Sequence, residues 1–406
     1  ESLYYIDKDY NFYAFHIPTQ KNEFIANLEK EIQTRGKVSS IVHYHDSFFV
    51  GFLMDGILLL EKQKNTSHYR IQPLPVNSGV FCLKKDRFQD IVWIGTDGQG
   101  VYLYSNPLYS IKSVVLGNYT EKIERPVRAL LQDDERTFWV GTKGNGILKI
   151  YDYEVDKNLS DCRAEVLTTS NSALGSNAVY CFARSHRNLL WIGEEEGLTY
   201  YSYREKRIKR LPVRIGNEEF KYIHDIYETA DSELWLASVG MGVVRARIAG
   251  TPDNPLIVDA QRYIINDGEL GSNYFFTIYA ENEANLLFGN KGYGVFRFNK
   301  TTNGLEPVST HKYENMTLNN ILAISKDSSN NYLFGTSYGL IKYTSETSYQ
   351  LFNAKNGFLN NTVHAILKNS PDNFWLSTNL GLINFDTKRN VFRSYGFSDG
   401  LKVVEF

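Results

Sequence analysis

Residues 127–147 read VRALLQDDERTFWVGTKGNGI: an apolar strand, a polar turn, a second apolar strand that contains Trp, and a glycine-rich turn. The segment FWVGTKGNGILKIY (138–151) recurs in related form along the chain, most clearly as VWIGTDGQGVYLY (92–104) and LWIGEEEGLTYY (190–201). Further copies are LWLASVGMGVVRA (234–246), LLFGNKGYGVFRF (286–298), YLFGTSYGLIKY (332–343), FWLSTNLGLINF (374–385) and the weaker FFVGFLMDGILLL (48–60). One short unit with strand periodicity is therefore repeated throughout.

One small residue after the aromatic segment, usually glycine, marks each copy. The markers are Gly51, Gly95, Gly141, Gly193, Ala237, Gly289, Gly335 and Ser377. They are spaced 42 to 52 residues apart, and a period of about 40 to 50 residues with several short strands is typical of propeller blades. The sequence predicts an all-β fold over residues 1–406, a β-propeller of four-stranded blades.

The number of blades stays open between seven and eight. Eight copies are present, and a strand pair at Ser2 to His16 precedes them. Either the chain closes as eight blades, or its first one or two repeats belong to a preceding propeller.

A second column of the repeat holds small residues upstream of each marker. Its members are Ser40, Cys82, Ala129, Cys181, Asp225, Thr277, Ala323 and Ala365. Because the innermost strands of a propeller converge on a narrow axis, close packing favours small side chains there. Cys82 and Cys181 are accordingly predicted to be small buried residues rather than reactive thiols.

The overall charge argues against nucleic acid as a partner. The net charge is −2, from 44 basic and 46 acidic residues, so no basic surface is indicated that would hold a phosphate backbone. No run of about 18 apolar residues appears that could span a bilayer.

Motifs that resemble catalytic or cofactor sites fall on turns of the repeat. GTSYG (335–339) matches a nucleophile elbow but is followed by a strand instead of a helix, and GxG turns such as 98–100 lack the third glycine and helix of a phosphate loop. The acidic turn 194–196 and the pair His43 and His45 have no further metal ligand apparent in the sequence. We therefore expect no catalytic residue, no metal and no cofactor.

Residues that open the inner strands are better candidates for a site. Loops at one end of a propeller gather around its axis, so residues from different blades can meet one ligand. The candidates for ligand binding are Arg128, Tyr180, Tyr222, His224, Tyr274, Asn320, Asn361 and His364. Aromatic rings combined with Asn, Arg and His suit a sugar, although each position is also an ordinary strand-edge position.

The repeated (L/F)W(I/V)GT…G unit resembles the two-component-regulator propeller repeat, which builds the periplasmic sensor regions of hybrid two-component systems in Bacteroides-type bacteria. The resemblance extends over nearly the whole chain and includes VRALLQDDERTFWVGTKGNGI (127–147), DSELWLASVGMGV (231–243) and FLNNTVHAILKNSPDNFWLSTNLGLINFD (358–386). It implies a periplasmic sensor fragment of a histidine kinase, without the kinase and the transcriptional regulator. It supplies no ligand motif at the level of residues, and eight copies depart from the seven blades of a family propeller.

The partners follow from the same resemblance. It implies an oligosaccharide ligand released from a glycan, a homodimer in the full sensor, and an adjoining propeller and β-sandwich in the same protein. Contact with the membrane would come only through the parent protein. Two alternatives stay open: a propeller polysaccharide lyase or glycosidase, which needs carboxylates or a Tyr/His pair around the axis, and a protein-interaction platform, which needs a broad apolar face.

Overall fold

The computed structural model describes residues 2–63, 66, 68–86, 90–105, 125–133, 136–153, 162–265, 273–282, 284–308, 320–345, 347–358 and 360–401. The chain divides into two compact units, Glu1–Ser110 with Arg389–Arg393 and Ile111–Lys388 with Ser394–Phe406. Within the described residues there is one α-helix, α1 (Glu29–Arg35). None of the described helices has the length and apolar content that crossing a membrane requires.

The first unit contains three antiparallel sheets. Their strands are β1 (Ser2–Ile6), β2 (Asn11–His16) and β3 (Lys21–Asn27); β4 (Val38–Tyr44), β5 (Ser47–Phe52), β6 (Ile57–Lys62) and β7 (Tyr69–Pro73); and β8 (Val80–Lys85), β9 (Ile91–Thr96) and β10 (Val101–Ser105). The strand pair predicted at the start of the chain is thus part of a three-stranded sheet, β1–β2–β3.

The second unit consists mainly of four-stranded sheets in which neighbouring strands follow one another along the chain. The first three sheets contain β11 (Val127–Gln132), β12 (Phe138–Thr142), β13 (Ile147–Ile150) and β14 (Ala164–Leu167); β15 (Val179–Arg184), β16 (Leu189–Glu194), β17 (Gly197–Ser202) and β18 (Arg207–Arg210); and, after the hairpin β19 (Arg214–Ile215) and β20 (Glu218–Glu219), β21 (Ile223–Glu228), β22 (Glu233–Ser238), β23 (Gly242–Thr251) and β24 (Asn254–Tyr263). The next three contain β25 (Phe275–Asn282), β26 (Asn285–Asn290), β27 (Gly294–Asn299) and β28 (Gly304–Pro307); β29 (Ile321–Lys326), β30 (Tyr332–Thr336), β31 (Gly339–Ser345) and β32 (Ser348–Phe352); and β33 (Val363–Ser370), β34 (Asn373–Thr378), β35 (Gly381–Asp386) and β36 (Val391–Tyr395).

The first strands of successive sheets lie side by side. In the second unit β11, β15, β21, β25, β29 and β33 are neighbours in chain order, and in the first unit β4 neighbours β8. Sheets that meet along their first strands are propeller blades. The predicted all-β propeller fold is therefore confirmed, and each of the eight repeats forms one sheet. Whether the first one or two repeats belong to a preceding propeller stays a prediction.

The two sequence columns face each other across the first two strands of every blade. The cross-strand pairs are Ser40–Gly51, Cys82–Gly95, Ala129–Gly141, Cys181–Gly193, Asp225–Ala237, Thr277–Gly289, Ala323–Gly335 and Ala365–Ser377. At Gly193 a Cβ atom would meet the Cys181 Sγ and would lie 2.7 Å from the carbonyl oxygen of Ile223 in the next blade. The marker is small because the next blade packs directly on it.

The small column is not buried throughout. Cys181 is buried, as predicted, but the prediction that Cys82 is buried is wrong, since its side chain is exposed. The size limit at Cys82 has a local cause. A Cβ atom on Gly95 would lie 2.6 Å from the Cys82 Sγ, so Cys82 lies over its partner glycine although solvent reaches it.

A tryptophan of one second strand fills the space between two blades. Trp139 of β12 is fully buried, and its ring packs edge-on against Tyr201 of the next blade with centroids 4.9 Å apart. Its indole N–H donates to the Asp133 carboxylate at 2.8 Å, which also accepts the Thr137 N–H. The buried indole is thereby both packed and hydrogen-bonded.

Candidate functional site

Every inner strand carries a β-bulge at one position of the repeat. The register shifts between the first apolar residue of the strand and the small residue, so the residue between them is left out of the ladder. A bulge changes the direction of a side chain and is common beside functional sites. The bulge residues are Ser39 and Phe81 in the first unit and Arg128, Tyr180, His224, Phe276, Leu322 and His364 in the second. We call the six of the second unit the bulge row.

Rings of three successive blades meet in the bulge row. Tyr180 and His224 are stacked, with centroids 4.3 Å apart and an interplanar angle of 19°. His224 in turn contacts Phe276 edge-on, with centroids 5.7 Å apart and an angle of 78°. The inner strands therefore deliver one ring each to a continuous aromatic surface.

Positive charge lies at the Arg128 end of this row. Burial, together with the charges of Arg128 and Lys143, lowers the pKa of His224 to about 4, so its imidazole is neutral at pH 7. The pKa of Tyr180 is raised, first by burial and then by Glu195, while Arg128 opposes this shift. At neutral pH the row thus combines uncharged rings with two nearby cations.

Asp225, which follows His224, has a structural role between blades. Its Oδ1 accepts the N–H of Ile226 at 2.9 Å, and its Oδ2 accepts the N–H of Ile278 in the neighbouring inner strand at 2.7 Å. Burial raises the pKa of this carboxyl to about 6, although these hydrogen bonds and one with Thr277 act in the opposite direction. The Asp225 carboxylate thus accepts a hydrogen bond from the Ile278 N–H of β25, the edge strand of the next sheet.

The two predicted tyrosines outside the bulge row lie just before their inner strands. Tyr222 is 41% exposed, has a φ of 55°, and its N–H donates to the Glu195 carbonyl at 2.9 Å. Tyr274 is 40% exposed, and the Lys291 Nζ lies over its ring at 5.4 Å from the centroid. The backbone of Tyr222 is thus fixed to the turn that holds Glu195, whereas Tyr274 forms its own contact with a lysine.

The remaining predicted residues are not joined to the three rings by any described contact. The His364 ring bonds to the side-chain oxygen of Asn379, and Asn320 precedes β29. The Asn361 Oδ1 accepts the N–H of Ala354 at 2.9 Å. Asn177 and Asn273 occupy the same repeat position as Asn361 and accept backbone N–H groups in the same manner, so this asparagine fixes the connection between blades.

Sequence reasoning missed two residues of the site, Phe276 and Lys143. Phe276 could have been found because it directly precedes the small residue Thr277, as His224 precedes Asp225. Lys143 lies in the turn after β12, where its N–H donates to the Pro126 carbonyl at 2.9 Å. Among the described residues, no group of three or more His, Cys, Asp or Glu is placed to hold a metal ion.

Comparison with known proteins identifies similar folds. No protein-family model matches the chain, and no curated protein sequence matches it. The extracellular domain of the putative hybrid two component system BT3049 from B. thetaiotaomicron is 23% identical, with a TM-score of 0.60, over 100% of this chain and 52% of that chain. The corresponding domain of BT4673 from the same organism is 15% identical, with a TM-score of 0.57, over 97% of this chain and 53% of that chain.

An enzyme has a similar fold as well. A catalytically inactive virginiamycin B lyase from Staphylococcus aureus, solved with quinupristin, is 15% identical, with a TM-score of 0.53, over 70% of this chain and 88% of that chain. This chain spans about half the length of the two extracellular domains. The predicted resemblance is thus confirmed at the level of the fold: the chain has the fold of the extracellular domains of hybrid two-component systems from Bacteroides.

Proposed function

We propose that the chain is a ligand-binding part of an extracytoplasmic sensor and that its bulge row recognises an oligosaccharide derived from a glycan. The observation that carries the proposal is the stack of Tyr180 on His224, continued by Phe276. It is supported by the fold that the chain shares with sensor ectodomains.

Sugar recognition matches the chemistry of these side chains. The faces of a pyranose ring carry C–H groups that pack on aromatic rings, while its hydroxyls need hydrogen-bond partners. The neutral His224 ring can both donate and accept a hydrogen bond, and the Tyr180 and Tyr222 hydroxyls can do the same. The rings are held in place by inner strands, which limits the entropy lost on binding.

The rest of the sensor is proposed by analogy with the fold. In this proposal ligand binding changes the conformation of a periplasmic ectodomain, which includes an adjoining propeller and a β-sandwich and acts as a homodimer. The change is passed to a histidine kinase and a transcriptional regulator outside this chain.

A lyase or glycosidase is less well supported by the same region. General acid–base catalysis needs a group free to exchange a proton with substrate. Both carboxylate oxygens of Asp225 already accept backbone N–H groups. Burial lowers the pKa of His224 to about 4, so its imidazole is a weak base at neutral pH. These properties favour binding over turnover.

Isothermal titration of the chain with a panel of glycan-derived oligosaccharides tests the proposal. Tyr180→Ala should weaken the binding of any ligand found by about fivefold, since ring stacking is worth about 1 kcal/mol, and Tyr180→Phe should keep most of the affinity. Tyr10→Ala, at a half-exposed tyrosine of the first unit, is the control. Failure of every member of the panel to bind, or equal affinities for Tyr180→Ala and the original chain, would contradict the proposal.

A further inference from the structure

Two cations stand beside the aromatic surface of the bulge row. Arg128 occupies the bulge position of β11, one blade before Tyr180, and Lys143 lies in the turn that follows β12. Both side chains are exposed. Both are close enough to affect His224 electrostatically, two blades from their own sheet.

Neither cation is neutralised by an ion pair with a described residue. The salt bridges of the second unit use other cations; Lys221, for example, pairs with Glu196. The nearby acid Glu195 accepts a hydrogen bond from the Ser176 hydroxyl at 3.2 Å. At neutral pH the two positive charges of Arg128 and Lys143 stand at this end of the row with the carboxylate of Glu195. The second carboxylate, Asp225 beside His224, already accepts two backbone N–H groups, so an anion is the complement that the exposed Arg128 end lacks.

The Tyr180 ring offers a surface next to these cations. Its one ring contact among the described residues is with His224. Because Arg128 and His224 belong to the blades on either side of Tyr180, the ring face away from His224 is directed to the side of Arg128. An aromatic face beside a guanidinium and an ammonium group suits a sugar ring with an anionic substituent.

We propose that the ligand is an acidic oligosaccharide, in which the carboxylate or sulfate of one sugar is bound by Arg128 and Lys143 while its ring packs on Tyr180. This rests on the proposed function and specifies its ligand class. The lowered pKa of His224 agrees with it: burial is the main cause, and the charges of Arg128 and Lys143, which add to the shift, would also attract an anion.

Three matched oligosaccharides test this assignment by isothermal titration on the full chain: a tetragalacturonate, the neutral galactotetraose of the same linkage, and its sulfated derivative. We expect one of the two acidic ligands to bind at least tenfold more tightly than the neutral one, and this advantage to shrink when the NaCl concentration is raised. Whichever of the two acidic ligands binds more tightly shows whether the site prefers a carboxylate or a sulfate.

Two charge-neutralising variants assign the preference to these side chains. Arg128→Gln and Lys143→Gln should each reduce the affinity for the acidic ligand by at least tenfold, the low end for a hydrogen bond to a charged group, and should reduce the affinity for the neutral ligand by clearly less. Lys291→Gln is the matched control, because Lys291 occupies the same turn position three blades further on. Unchanged melting temperatures will show that the variants are folded.

The outcomes separate this inference from the function on which it rests. Equal binding of neutral and acidic ligands, or an acid preference that survives both variants, overturns the acidic ligand and leaves an oligosaccharide sensor. No binding by any of the three, while a neutral member of the wider panel binds, overturns the acidic ligand alone; no binding by any member of the panel overturns both.

Discussion

The neighbours His224 and Asp225 should make opposite contributions to the pH dependence of folding. The pKa of His224 falls from 6.5 to about 4 on folding, so between these values the unfolded chain binds a proton that the native chain does not. Its contribution to stability therefore decreases by about 3 kcal/mol as the pH falls from 6.5 to 4. The pKa of Asp225 rises from 3.8 to about 6. Its contribution therefore decreases by about 3 kcal/mol as the pH rises across that interval.

The two effects cancel between about pH 4 and pH 6. There the native pair holds one proton on the Asp225 carboxyl, and the unfolded pair holds one proton on the His224 imidazole. With equal numbers of bound protons, the pair adds almost no slope to the stability curve. Each single substitution should expose the slope of the residue that remains.

Urea unfolding, followed by tryptophan fluorescence from pH 4 to pH 7, measures these slopes. Relative to the original chain, His224→Gln should gain about 3 kcal/mol as the pH is lowered from 6.5 to 4, and Asp225→Asn should gain about 3 kcal/mol as it is raised from 4 to 6. The lost hydrogen bonds add an offset that does not vary with pH. Differences that change by less than about 1 kcal/mol in both variants would show that these groups are not shifted, and the reasoning would fail.

Two further predictions concern the packing between strands and blades. Gly193→Ala should destabilise the fold by about 1–3 kcal/mol, because the new methyl group overlaps the facing cysteine and the next inner strand; a thermal melt should show a clear loss that Gly396→Ala, which introduces a methyl group into open space, does not share. Asp133→Ala should cost about 1–3 kcal/mol by leaving the buried Trp139 indole N–H without its acceptor, and a denaturation midpoint equal to that of the original chain would disprove this role.

Much of the fold follows from the sequence because each repeat has a small residue at the same two positions. The marker after the aromatic segment, usually glycine, and the small residue upstream align between the repeats, and the structure pairs them in all eight copies. The sequence did not reveal why the side chains upstream of the markers are small. At Cys82 the cause is contact with Gly95 across the strands, not burial at an axis, and an alternation pattern cannot distinguish these two constraints.

The site was only partly predictable, for two physical reasons. No particular residue type marks a bulge in a sequence. Chemistry alone therefore suggested Tyr180, which carries a hydroxyl group, and not Phe276, which occupies the same bulge position of another repeat. A hydrogen bond to the chain also cannot be seen in a sequence. Asn361 has the chemistry of a ligand-binding residue, but its side-chain oxygen is bonded to the backbone of the preceding connection.

Each bulge residue lies outside the hydrogen-bonded ladder of its own strand, and this affects how ligand selectivity can change during evolution. Exchanging that side chain alters the lining of the site while the strand pairing on either side keeps its partners. Selectivity could therefore be revised one module at a time, by point mutation, with little effect on folding. Duplication or loss of a whole repeat would lengthen or shorten the row by one contact, and with it the length of ligand that can be accommodated.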